Sequence, residues 1–77
     1  MQFIVEYTDT FDGEANYSWL RRKYIELDPR ASGTELRAAA KEAVDLVGRK
    51  GEWEVAGDTW CFRPRGSATI LKVFPAN

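Results

Sequence analysis

Apolar and polar residues alternate from the start of the chain: Phe3, Val5 and Tyr7 fall on one side of an extended backbone, and Gln2, Ile4, Glu6 and Thr8 on the other. That period of two predicts a strand with one better-buried face. A loop is expected from Asp9 to Ala15; it carries Asp12-Gly13, a strong turn dipeptide, and predicts a hairpin. The return strand is expected over 16–27. Its pattern is broken, with Tyr17, Trp19, Ile25 and Leu27 in one parity and Leu20 and Tyr24 in the other. A bulge at Arg21-Arg22-Lys23 reconciles the two phases.

Asp28-Pro29 ends that strand, because proline cannot donate to a ladder. Ser32-Gly33-Thr34-Glu35 then spells a capping box, with Ser32 as N-cap and Glu35 reaching back. A helix is expected from Thr34 to Val47, with Leu36, Ala40, Ala43 and Val47 as its buried stripe and Gly48 as its stop.

In the last third, a two-residue turn at Gly57-Asp58 sets Val55 against Trp60, Trp53 against Phe62, Glu54 against Cys61 and Glu52 against Arg63. A second turn centred on Arg65-Gly66 pairs Trp60 with Leu71 and Cys61 with Ile70. Trp53, Val55, Trp60, Phe62, Leu71 and Val73 then form one apolar surface for the helix to cover. The other face holds Glu52, Glu54, Cys61, Arg63, Ile70, Lys72 and Phe74, with Ile70 and Phe74 exposed among charges. The fold expected is α+β: an antiparallel sheet of about five strands in the order ββαβββ, with one helix on one face.

Length confines this to a single compact domain over 1–77. With 44% apolar residues and ten aromatics, the chain can build a core. No secretion signal or membrane-length apolar run is seen, so the expected location is the cytoplasm. Eleven basic and twelve acidic residues leave a net charge of −1, which counts against a general polyanion binder.

Candidate chemistry is sparse. There is no histidine, and the one cysteine, Cys61, lies between Trp60 and Phe62, where a packed thiol is the simpler reading. Six isolated glycines make no phosphate loop, and Asp9 and Asp12 lack a metal-ligand pattern. We therefore expect no enzyme, no metal and no cofactor.

Charge distribution says more than its sum. Glu6, Asp9, Asp12 and Glu14 are the only charged residues among the first twenty, and Arg21, Arg22 and Lys23 follow at once. An acidic hairpin tip suits a partner's basic surface, including one that ordinarily holds nucleic acid. The basic run is split between the two faces of a strand, since consecutive residues point opposite ways.

The stretch from Tyr7 to Arg22, centred on Gly13-Glu14-Ala15-Asn16-Tyr17-Ser18-Trp19 and followed by Arg21-Arg22, resembles the opening of small proteins encoded by bacteriophages and other mobile elements. Anti-CRISPR proteins are the best-known such group that acts on host machinery. The resemblance implies a non-enzymatic inhibitor that binds a host protein complex, such as a CRISPR effector complex, and blocks its nucleic-acid recognition. Asp9, Asp12 and Glu14 would then mimic phosphate charge, and Tyr17, Trp19 and Arg22 would anchor the partner. Two alternatives stand beside it. One is a small nucleic-acid-binding accessory protein using Arg21, Arg22, Arg63 and Lys72. The other is a homodimer with a structural or ligand-binding role.

Overall fold

The computed structural model describes residues 1–11, 14–15 and 20–76, with residues 11, 14 and 15 described by backbone alone. In chain order the elements are β1 (Gln2–Phe11), β2 (Glu14–Ala15), β3 (Arg21–Glu26), α1 (Gly33–Ala43), β4 (Gly51–Ala56), β5 (Thr59–Pro64) and β6 (Thr69–Pro75). Strands β2 and β3 pair with the same strand, β1, and are two pieces of one return. The sheet thus has five positions, ordered β2/β3, β1, β6, β5, β4, and every pairing is antiparallel. This is the expected α+β architecture in ββαβββ order.

Register lines up rows of side chains across the whole sheet. On the helix-covered inner face, one row reads Lys23, Val5, Val73, Trp60, Val55, and the next reads Arg21, Tyr7, Leu71, Phe62, Trp53. The middle of both rows is the core: Val5, Leu71, Val73 and Phe62 are fully buried. Leu36, Ala40, Val44 and Leu46 close over them. On the outer face a row of alternating charge runs Arg22, Glu6, Lys72, Cys61, Glu54.

The capping box is formed: Glu35 N–H donates to Ser32 Oγ at 3.1 Å, and Ser32 N–H donates to Glu35 Oε1 at 3.4 Å. The helix stops earlier than Val47. Asp45 adopts a left-handed φ of 61°, its N–H donates to Glu42 O at 3.3 Å, and Leu46 N–H donates to Lys41 O at 2.8 Å. These are the paired bonds of a Schellman cap, with aspartate where glycine is usual. The early stop has a packing cause. Val44 continues the Leu36–Ala40 stripe, whereas Leu46 would point away from it in a longer helix, and the reversal at Asp45 turns Leu46 into the core. Val47 is left 72% exposed, contrary to its expected place in the stripe.

Three further expectations are corrected by register. Strand β1 continues through the segment expected to be loop, to Phe11. Its outer end pairs Thr10 with Ala15 and its inner end pairs Tyr7 with Arg21. Arg21-Arg22-Lys23 pair regularly with β1 instead of bulging, as Tyr7–Arg21, Glu6–Arg22 and Val5–Lys23. The turn residues Asp12 and Gly13 lie outside the described residues. The β5–β6 register is shifted by two residues, pairing Trp60 with Val73 and Cys61 with Lys72. A four-residue loop, 65–68, replaces the tighter turn, and an even shift leaves each side chain on its expected face.

The β4–β5 hairpin has the register expected, with Val55 opposite Trp60 and Glu52 opposite Arg63. The ion pair of Glu52 goes instead to Arg65, at 3.8 Å, because the wider loop brings that arginine alongside. Gly57 has φ 62° and Asp58 a negative φ, the pattern of a type II′ turn. Gly51 is required for close approach: a Cβ there would collide with the backbone of Arg63 and Pro64.

Two stability changes should follow, both read by thermal and urea unfolding. Asp45→Gly relieves the left-handed strain and should stabilise by about 0.5–1 kcal/mol, raising Tm by about 4–8 °C per kcal/mol. Gly51→Ala should destabilise by about 1–3 kcal/mol through backbone overlap.

Candidate interaction surface

The outer half of β1 is anchored to the β5–β6 loop and the start of β6. Thr10 donates to Ala68 O from both its N–H, at 2.7 Å, and its Oγ1, at 3.1 Å. Tyr7 OH donates to Thr69 Oγ1 at 3.0 Å, and the Ser67 and Thr69 hydroxyls lie 2.9 Å apart. Asp9, opposite Thr69, shares the inner-face parity of Tyr7 and is half-buried. Its Oδ1 is buried without a hydrogen-bond partner among the described residues. Glu14 pairs with Phe11 through the backbone. Asp12, Tyr17 and Trp19 lie outside the described residues.

Arg22 is on the other face from Asp9. Its Nε and Nη2 donate to Glu6 Oε2 at 2.9 and 2.6 Å, and Glu6, only 12% exposed, lies in register between Arg22 and Lys72. Arg21 turns to the inner face, where its guanidinium lies 5.4 Å from the Tyr7 ring centre and donates to Val44 O at 3.3 Å. That contact places a cation at the helix C-terminus, where the dipole favours it. The Arg21-Arg22-Lys23 run is thus divided between faces. Arg63 and Lys72 share the outer face with Arg22, but Glu6, Glu52 and Glu54 are interleaved with them. The expected apolar pair on that face is also absent, since Ile70 is only 5% exposed. It faces Thr8, itself buried, from a strand with a neighbour on each side.

A surface that the sequence assigned to the core emerges at the opposite corner. Trp53 and Trp60 are half-buried and Val55 is 56% exposed, although all three face the helix side. Trp53 stands edge-on to Trp60, with ring centres 6.3 Å apart, and lies tilted against Phe62 at 4.9 Å. Arg37 of α1 extends over the pair, its guanidinium carbon 4.8 Å from the Trp60 ring centre and 6.0 Å from that of Trp53. Behind it, Lys41 Nζ sits 4.7 Å from the Phe62 ring centre and donates to Arg49 O at 2.6 Å. Trp and Arg together, partly desolvated and held by neighbours, are the residue types that dominate binding energy at interfaces. The signal legible in sequence was that Val55 stands next to the turn, beyond the reach of a short helix.

The concavities along the helix are open dents, such as one of about 230 Å³ lined by Ala38, Lys41, Glu42, Val47 and Gly48. Among the described residues no group of three or more His, Cys, Asp or Glu side chains could hold a metal ion. No helix among them is long and apolar enough to cross a membrane.

Arg22→Ala should lower stability by about 1 kcal/mol, because it leaves the poorly exposed Glu6 carboxylate with one cation fewer. High salt should shrink the difference from the parent in urea melts, whereas a packing role for Arg22 would leave it unchanged. No protein-family model, curated protein or solved structure matches this chain.

Proposed function

We propose that this chain is a non-enzymatic protein-binding domain that inhibits a bacterial defence complex, in the manner of an anti-CRISPR protein. It would act in the bacterial cytoplasm by holding a protein target and blocking its nucleic-acid recognition. The observation that carries the binding part is the corner at β4 and β5, where Trp53, Val55 and Trp60 stay accessible under Arg37. Leaving Val55 and the open parts of Trp53 and Trp60 in water costs solvation free energy that a partner would recover. Choice of target rests on the likeness of residues 7–22 to proteins of phages and mobile elements. Exposed Glu52 and Glu54 beside the corner, with Asp9, Asp12 and Glu14 in the sequence of the hairpin tip, favour a basic target surface.

The test is to express the tagged protein in a bacterium with an active CRISPR system, score phage plating, and identify what co-purifies. The parent should restore plating and bring down an effector subunit in stoichiometric amount. A folded Arg37→Ala/Trp60→Ala variant should bind that subunit at least tenfold more weakly, about 1.4 kcal/mol. Charge reversal at Asp9, Asp12 and Glu14 separates the tip's contribution from the corner's. Recovery of nucleic acid alone, with salt-sensitive DNA binding by the pure protein, would replace this function with the accessory-protein alternative.

A further inference from the structure

The type II′ turn at Gly57-Asp58 fixes which backbone groups of β4 are free. In a two-residue hairpin the residues flanking the turn, here Ala56 and Thr59, exchange both hydrogen bonds, and every second pair along the ladder does so again. The donation from Arg65 N–H to Lys50 O at 2.8 Å keeps that phase. Glu52, Glu54 and Ala56 therefore direct N–H and C=O toward β5. Trp53 and Val55 direct theirs away from the sheet, and β4 ends the strand order among the described residues.

Side chains alternate along the same edge. Trp53 and Val55 lie on the inner corner with Trp60 and Arg37, while Glu52 and Glu54 project from the outer face, both exposed. Glu54 has no ion-pair partner among the described residues, and that of Glu52 is a loose 3.8 Å contact with Arg65. A strand laid on this edge meets free donors and acceptors, an apolar shelf at every second residue, and a carboxylate at the residues between.

We propose that β4 accepts an extended segment of a partner protein as an added strand, with apolar residues beside Trp53 and Val55 alternating with Lys or Arg opposite Glu52 and Glu54. This rests on the reading of the β4–β5 corner as a protein-binding surface and specifies what it binds. Backbone pairing supplies affinity, and the alternation supplies selectivity. A second copy joined at the same edge through a twofold axis is disfavoured. Continuing the sheet that way sets residues of like parity opposite each other, so with the axis at residue 52, 53 or 54 a glutamate meets a glutamate of the other copy, and like charges directly opposite are destabilising.

The test uses the isotope-labelled full chain and two capped heptapeptides, one alternating Lys with Val and one alternating Glu with Val. The Lys–Val peptide should bind saturably and slow exchange of the Trp53 and Val55 amides at least tenfold, leaving the ladder-bonded Glu52 and Glu54 amides unchanged. The Glu–Val peptide should do neither, and Glu52→Lys/Glu54→Lys should reverse the preference. In an antiparallel addition the valine N–H groups face β4, so methylating those nitrogens of the basic peptide should abolish binding, with no change to the protein. Val55→Pro, which removes an outward N–H that makes no bond to β5, should do the same.

Lack of protection at millimolar Lys–Val peptide, protection at other amides, or equal binding of the methylated peptide would overturn the proposal. So would concentration-dependent self-association of the parent that protects the same two amides, since it would assign the edge to a second copy. Peptide binding is read without any cellular target, so its failure counts against the added strand alone. Failure of target capture counts against the inhibitor function alone.

Discussion

One short helix has to cover a five-position sheet, and the remaining arrangement follows from that shortage. An α-helix of eleven residues is about 16 Å long and about 10 Å across. The sheet beneath is about 19 Å wide and six-residue strands are about 20 Å long, so less than half its inner face can be covered in any orientation. What is covered is the middle: Val5, Leu71, Val73 and Phe62, each worth about 1.5–3 kcal/mol on burial. The margins are finished in two ways. At the β3 edge the rows end in Arg21 and Lys23, and Arg21 reaches the helix end. At the β4 edge they end in Trp53 and Val55, with Arg37 brought across from the helix. One margin is completed by charge and the other left apolar.

The elements that could be read from sequence were those fixed by local chemistry. The Ser32–Glu35 capping box, the Gly57-Asp58 turn and the β4–β5 register depend on residues within a few positions of one another, and each stands as expected. Sequence pattern and structure part where two long-range demands compete. The helix end is set by Leu46 needing the core, which overrides the weaker stop signal at Gly48. The β5–β6 register is set by how Leu71 and Val73 meet both Phe62 and Trp60 on one side and Tyr7 and Val5 on the other. Turn propensity sees neither constraint.

The candidate site was legible only in part. Arg21 and Arg22 were expected on opposite faces, and their contacts with Val44 and Glu6 put them there. Asp9 and Arg22, grouped from a contiguous motif, are separated by the sheet itself. Alternation places Trp53, Val55 and Trp60 on the helix-facing side, but it reports which face a residue takes, not how far a helix extends over it. An apolar residue at a sheet margin has the same pattern as one at its centre.

Strands β1 and β6 lie side by side at the heart of the sheet, paired from Phe3–Pro75 to Asp9–Thr69, yet they are the first and last strands in chain order. During synthesis the β1–β3 hairpin and the β4–β5 hairpin emerge from the ribosome with a vacant column between them. Until β6 pairs, Val5, Tyr7, Phe62 and Trp60 lack a strand on one side, and pairing β6 with β1 closes a loop of about sixty residues. The chain can therefore form two half-sheets before the strand that joins them is in place, and each exposes an adhesive edge until β6 pairs with both.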